Sequence, residues 1–313
     1  MRKIIKFFKR TSKQLIKLNT WTKVALIIGI ILIILMIANI HTQKKEGFTQ
    51  KEKFIIKEDN DIYDAFYCSI YDELVYDHAK NKYEVGEIKH QIKPSKSARV
   101  LDIGSGTGHH VNLLNKIGYN AEGVDKSEAM IKYAKKKYNE YDFKHGDIVE
   151  SMLYPSNSFT IITSFYFTIY YIQNKKSFFQ NCFDWLKPGG YLIIHMVNRD
   201  KFDPILNVAD PLYIVSAQKH AKNRITNSLV KFKDFQYKAN FNLDKENNLA
   251  EFNESFKDDS SGHIRQNKHK LYMETQKYIL SLAKNIGFIL HGKIDLIRKQ
   301  YQYQYLYVLY KPE

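Results

Sequence analysis

The chain has 313 residues, 44% of them hydrophobic, enough for one large α/β domain with additions or for two small domains. A formal charge of +15 raises nucleic acid as a partner, but eight basic residues lie within residues 1–23, which hold no acid. Without them 40 basic residues face 33 acidic ones, so about half of the excess belongs to one terminal segment and a nucleic-acid-binding function is set aside.

Residues 1–20 place Ile4, Ile5, Phe8, Leu15 and Ile16 among lysines and arginines at loosely helical spacing. A helix with a wholly cationic polar face suits an anionic membrane surface. Residues 21–40 follow as an expected transmembrane helix. Val24–Ile40 is a 17-residue, almost wholly apolar run, at the short end of what crosses a bilayer, with Trp21 at its edge. A retained single-pass anchor is expected, against a buried core helix or a cleaved signal peptide. Lipid contact through residues 1–40 and a membrane localisation follow. The positive-inside rule holds the N-terminus in the cytoplasm, by a margin of only eight basic residues against five in 41–60. Residues 41–60 read as a charged linker, and the catalytic domain is expected over 61–313.

Asp61–Ile92 carries Ile62, Phe66, Ile70, Leu74 and Val75 at helical spacing, with Tyr63, Tyr67, Tyr71 and Tyr76 interleaved. One or two helices are expected there, broken at Lys93-Pro94-Ser95. Strands and helices then alternate, as a parallel, doubly wound sheet requires. The expected strands are Arg99–Ile103, Ala121–Asp125, Tyr141–His145, Phe159–Ser164 and Tyr191–Val197. The helices between them are His109–Ile117, a basic one capped by Ser127, and Lys175–Leu186, closed by Lys187-Pro188-Gly189-Gly190. Helix Glu274–Ile286 and strands Phe288–Leu296 and Gln302–Lys311 end the chain. Residues 198–272 interrupt the alternation. They read as an inserted hairpin or small antiparallel sheet around Asp244–Asn248, with Asp258–Gly262 as a mobile loop. Cys68 and Cys182 form no framework or ligand cluster and read as small core residues.

The stretch RVLDIGSGTGHH, Arg99–His110, organises the rest. A strand runs into glycines at alternate positions, Gly104, Gly106 and Gly108, and then into a helix whose free N–H groups face the turn. The spacing is G-x-G-x-G, not the G-x-G-x-x-G of a dinucleotide site. Asp125 ends the next strand, 21 residues after Gly104, where a carboxylate accepts both ribose hydroxyls of a nucleoside. Asp147, after the third strand, can accept from an exocyclic adenine amine. With Asp102, three carboxylates lie along one sheet edge, where open α/β sheets bind ligands.

In order and spacing, VLDIGSGTGHH, GVDKSEAMI, HGDI, SFTIITSFYFTIYY and LKPGGYLIIHMV resemble the class I S-adenosylmethionine-dependent methyltransferases over about Asp61–Lys311. The resemblance implies a seven-stranded, Rossmann-like doubly wound sheet with a β-rich insertion at 198–272. It implies S-adenosylmethionine as cofactor and no metal. Gly104, Ser105, Gly106 and Gly108 then approach the methionine part, and Asp102 orients its amino group. Asp125 takes the ribose hydroxyls with Lys126 beside it, where the family often has an apolar residue, so Met130 substitutes in adenine packing. Asp147 and Ile148 frame the adenine, and Phe165 and Tyr166 face cofactor and substrate. Tyr71, with Tyr63, belongs to an N-terminal aromatic lid. His195 and Tyr166 are the candidate proton acceptors; His109 and His110 read as helix starters. The expected activity is methyl transfer to a small-molecule or membrane-associated acceptor. A catalytically inactive anchored module that binds a partner is the alternative, because S-adenosylmethionine is made in the cytosol.

Overall fold

The structure is a computed structural model that describes residues 19–41, 50–95, 97–205, 221 and 224–313. The basic segment 1–18 and part of the insertion, 206–220 and 222–223, lie outside the described residues, so the expected cationic amphipathic surface is not among them.

The first unit contains one described helix, α1 (Thr20–His41). The expected membrane crossing is corrected here. Among the described residues no helix is long and apolar enough to cross a membrane. The expected single-pass topology, and the localisation that rested on it, are corrected accordingly.

The second unit, Gly47–Glu313, holds two sheets. Seven strands form the larger: β2 (Arg99–Ile103), β3 (Asn120–Asp125), β4 (Phe143–His145), β5 (Phe159–Ser164), β6 (Leu186–Val197), β11 (Ile289–Asp295) and β12 (Gln304–Tyr310). Their order is β11-β12-β6-β5-β2-β3-β4, and β12 alone runs against the rest. Because side chains alternate along a strand, Val100 and Leu101 enter opposite cores. One core packs under α3 (His78–Ile92), α4 (His109–Lys116) and α5 (Glu128–Lys137), through Val85, Val111, Leu114 and Ile131. The other packs under α7 (Lys175–Trp185) and α8 (Gln276–Ile286), through Phe178, Trp185 and Ile279, with free Cys182 among them. Chain order reverses across β2, where β3 and β4 continue on one side and β5 and β6 on the other. A doubly wound sheet opens its ligand crevice there.

The second sheet has five strands, in the order β1-β10-β9-β8-β7: β1 (Phe54–Glu58), β7 (Asn227–Lys231), β8 (Phe235–Asp244), β9 (Leu249–Asp258) and β10 (Ile264–Tyr272). Of the two forms expected for the insertion, hairpin or small antiparallel sheet, β7–β10 make the antiparallel sheet. It also corrects the linker, because Phe54–Glu58 pairs in parallel with Ile264–Lys268. The sheet covers α2 (Ala65–Val75), burying Tyr67, Ile70 and Leu74 against Phe235, Tyr237 and Phe256. Asp258–Gly262 is a tight turn in place of the expected mobile loop: Asp258 Oδ1 accepts from the N–H and hydroxyl groups of both Ser260 and Ser261. Lys187–Gly190, expected to close a helix, belongs to the start of β6.

Candidate functional site

The site is built where β2, β3 and β5 end. After Ile103 the backbone turns through three glycines with positive φ and enters α4. Gly104 needs to be glycine twice over: φ is +69°, and a Cβ would stand 2.4 Å from Thr168 Oγ1 on α6 (Thr168–Tyr171). Gly108 caps α4 at φ +85°, and a Cβ there would meet the Phe143 ring at 2.7 Å. Ser105 is buried beneath the turn, its N–H donating to the Val124 carbonyl.

Asp125, at the end of β3, accepts from the Gly106 N–H (2.9 Å) and the Ser127 N–H (2.8 Å). Burial pushes its carboxyl up. The Ser127 hydroxyl accepts from Met130 N–H, capping α5, and donates to the Tyr63 carbonyl, tying the N-terminal aromatic segment to the strand end. Lys126 Nζ lies 2.8 Å from Asp147 Oδ2, an ion pair between two successive strand ends. Ile148 and Met130 are buried beside it.

A cavity of about 710 Å³ opens over these residues. Gly104, Gly106, Asp125, Lys126, Met130, Asp147, Ile148, Tyr166 and Tyr71 line it, among the residues expected from sequence. Asp102, Ser105, Gly108, Phe165 and His195 do not. Asp102 is buried behind the turn, where its Oδ1 accepts from Thr163 Oγ1 (2.8 Å) and burial pushes its carboxyl up to about 8. Phe165 stacks on His110 at 3.9 Å, facing away from the cavity lining. His195, expected as a proton acceptor, is fully buried, and its Nδ1 is hydrogen-bonded to the Tyr166 carbonyl. Burial depresses its imidazole to about 4, so the ring is neutral, and it lies behind the Tyr166 backbone outside the cavity lining.

That backbone is unusual: Tyr166 has φ +48°. A bulky residue in the left-handed region needs its surroundings to hold it there. Besides His195, the Tyr166 hydroxyl donates to Asn81 Oδ1 (2.7 Å), and Lys80 Nζ sits 3.9 Å over its ring. Burial raises the Tyr166 phenol well above its usual value, so it stays protonated.

Lys80 is a site residue that the sequence reading missed. It is 1% exposed, lines the cavity and pairs with Glu84 at 2.7 Å. Glu84 also accepts from His110 Nε2 (3.0 Å). Burial alone would raise the Glu84 carboxyl, but the Lys80 charge and the His110 hydrogen bond hold it down at about 2. The i,i+4 spacing of Lys80 and Glu84 was the available signal.

The far wall belongs to the second sheet and to aromatic residues. Tyr63, Tyr67 and Tyr171 line it together with Phe252, His269 and Leu271, and all three tyrosines lie against the His269 ring. Tyr63 packs edge-on against Tyr67, Tyr71 and Tyr171 at 5.5–6.4 Å. One end of the cavity is therefore polar, with glycine backbone and paired carboxylates, and the other is aromatic with one histidine.

The sequence model of a family described as "Methyltransferase domain" matches residues 94–277, more than half of the chain. Among curated proteins, a probable S-adenosylmethionine-dependent methyltransferase of Mycolicibacterium smegmatis is 30% identical over 105 residues, 34% of this chain and 40% of that protein. The phosphoethanolamine N-methyltransferase of Plasmodium falciparum is 33% identical over 113 residues, 34% of this chain and 42% of that protein. The chain thus spans about 40% of the length of these curated relatives. Among solved structures, an S-adenosylmethionine-dependent methyltransferase from Clostridium acetobutylicum superposes with a TM-score of 0.61 at 18% identity, covering 79% of this chain and 98% of that one, and so shares the fold. With the family match covering the glycine turn, the ends of β3 and β4 and the second sheet from β7 to β10, the chain belongs to the class I S-adenosylmethionine-dependent methyltransferase family.

Proposed function

We propose that this protein transfers a methyl group from S-adenosylmethionine to a small polar acceptor carrying an amine or hydroxyl nucleophile. The observation that carries this reading is the single cavity that joins the glycine turn and the acids of β3 and β4 to the aromatic wall under the second sheet. About 710 Å³ is within the usual range for a cofactor-sized ligand.

The residues present fit the cofactor. The Gly104–Gly106 backbone leaves room for close approach, since a Cβ at Gly106 would have only Tyr71, at 3.9 Å, as a neighbour. Asp125 keeps acceptor capacity beyond its two backbone donors for a pair of ribose hydroxyls. Met130 and Ile148 supply apolar surface for adenine, and Asp147, held by Lys126, an acceptor for its amine. Asp102 supports the turn from behind. Bound there, the cofactor supplies an electrophilic methyl group on a sulfonium. The protein's own work is alignment and exclusion of water, through the aromatic wall and the braced Tyr166.

Isothermal titration of the full chain with S-adenosylhomocysteine tests the cofactor site. Micromolar binding is expected; no heat at high micromolar concentration overturns the reading. S-adenosylhomocysteine production is then assayed with ethanolamine, phosphoethanolamine, amino sugars and small alcohols. The name of the Plasmodium relative supports the choice of phosphoethanolamine.

A further inference from the structure

A buried polar chain crosses the second sheet and ends in the cavity wall. Glu254 on β9 is fully buried and accepts hydrogen bonds from Tyr237 (2.8 Å), Asn267 (3.2 Å), His269 Nε2 (2.8 Å) and Tyr67. Burial would raise its carboxyl, but the hydrogen bond from His269 and those from Tyr67 and Asn267 hold it below the usual range. A carboxylate can only accept, so His269 donates from Nε2, and in the neutral ring Nδ1 is the acceptor for the Tyr171 hydroxyl 2.8 Å away. His269 and Tyr171 both line the cavity, and Tyr171 is 38% exposed.

We propose that Tyr171 and His269 form a proton relay, oriented by Glu254, that takes the proton from an acceptor nucleophile arriving as an ammonium or a hydroxyl. This rests on the methyl-transfer reading above. The acceptor atom forms its bond to the methyl carbon as the carbon–sulfur bond breaks, and the electron pair of that bond stays on sulfur. The acceptor's proton passes to the Tyr171 oxygen while the Tyr171 proton passes to His269 Nδ1, before the attack for an ammonium, whose nitrogen pair is thereby freed, and during it for a hydroxyl. The resulting imidazolium is stabilised by Glu254. Tyr171 is the catalytic residue that meets the acceptor, and Glu254 is a positioning residue.

The arrangement suits a relay better than a plain structural cluster for two reasons. Its last member is in the cavity wall, and every other member of the chain is satisfied behind it. Arg265 donates to Asn267 (2.8 Å) and, at its other end, to Asp64 at 2.8 and 2.9 Å, so the network is anchored to the cap of α2. The titratable and charged groups that face His269 are Tyr171 on α6, Tyr63 from the segment before α2, Tyr67 on α2, and Glu254 on β9. Tyr63 is hydrogen-bonded to Tyr171 as well, which fixes the phenol in place.

The test uses the full chain saturated with S-adenosylhomocysteine and labelled with 15N-histidine. Long-range proton–nitrogen spectra at pH 7.5 are expected to show His269 neutral with its proton on Nε2; a proton on Nδ1 overturns the relay. Tyr171→Phe is expected to leave S-adenosylhomocysteine affinity within twofold. With an amine or alcohol that supports turnover, it should lower kcat about 100-fold at pH 7. The acceptor KM should change little, and with an amine the loss should shrink at high pH as the ammonium deprotonates in solution. With an amine, a loss equal at every pH overturns the relay and leaves a structural role. Absence of cofactor binding, or of turnover with every probe, tells against the methyl-transfer reading, and the histidine tautomer still decides the relay.

Discussion

Each half of the cavity buries a glutamate against a histidine, and the two pairs do different work. Glu84 holds His110 and the cation of Lys80, and His110 ends in a stack on Phe165. Glu254 holds His269, whose second nitrogen reaches Tyr171 in the cavity wall. The first pair is a closed electrostatic lock between α3 and α4 behind the turn. The second is open at one end. A buried carboxylate–imidazole pair is thus informative only through the partner of the second ring nitrogen.

The largest expected effect tests the lock. Glu84→Leu leaves Lys80 buried, 1% exposed, without its counter-charge. Removing one partner of such a pair costs about 3–5 kcal/mol. Chemical denaturation should show that loss, whereas Glu254→Gln, which strands no cation, should cost about 1 kcal/mol, an ordinary hydrogen-bond change. Equal costs would erase the distinction between the two pairs. The lock is also pH-dependent. Glu84 is held at about 2 in the folded chain, against 4.5 ordinarily. Its contribution is present above the ordinary value and is lost as pH falls from there to about 2. Stability measured down that window should fall less steeply in Glu84→Gln than in the wild type.

Next in size is the cofactor end. Asp125→Ala removes the acceptor from the end of β3, and loss of hydrogen bonds to a charged group is worth about 1–3 kcal/mol. Titration with S-adenosylhomocysteine should record a weakening on the order of 5- to 150-fold. A change under twofold would mean that the ribose is held elsewhere. Gly104→Ala acts on the same end through shape. It places a methyl group 2.4 Å from Thr168 Oγ1 at φ +69°, and strain of this kind costs about 1–3 kcal/mol. Thr168→Ala in the same chain should recover part of the lost thermal stability, since the contacts with Oγ1 and Cγ2 are removed and only the Cβ contact at 3.1 Å and the backbone strain remain. No recovery would place the whole cost in the backbone and that Cβ contact.

The two halves also differ in what their sequences disclose. The cofactor end is assembled from consecutive residues at strand ends, and an apolar strand followed by alternate glycines or an aspartate is visible in a short window. The acceptor end is assembled across more than 200 residues, as when Asp64 meets Arg265. Its inner strand face is Arg265, Asn267, His269 and Leu271, so β10 lacks the apolar alternation that marks a half-buried strand. Phe54–Glu58, FIIKE, was hidden because it sits within the charged stretch 41–60 and its partner lies far along the chain. His195 shows the same limit: its strand position is visible in the sequence, but its full burial behind the left-handed Tyr166 backbone depends on neighbours in space.

Asp102 gives the smallest expected change in affinity and tests the boundary between cavity and support. It is 2% exposed, bonded to Thr163 and absent from the cavity lining. Asp102→Asn keeps its shape and the acceptor for Thr163, so the affinity for S-adenosylhomocysteine should change by less than about threefold, under 1 kcal/mol. Its effect belongs to the pH dependence of folding. Burial pushes the folded carboxyl up to about 8, while an exposed one titrates near 3.8. The contribution of the protonated group is complete below the exposed value and is lost as pH rises through that window to about 8, because the unfolded chain ionises first. Asparagine does not ionise, so the variant should gain stability relative to the wild type between pH 4 and 8 and hold a constant difference above that. Denaturant titrations at pH 4, 6, 8 and 9 measure this, and a difference that is flat throughout would show that Asp102 is ionised in the folded protein.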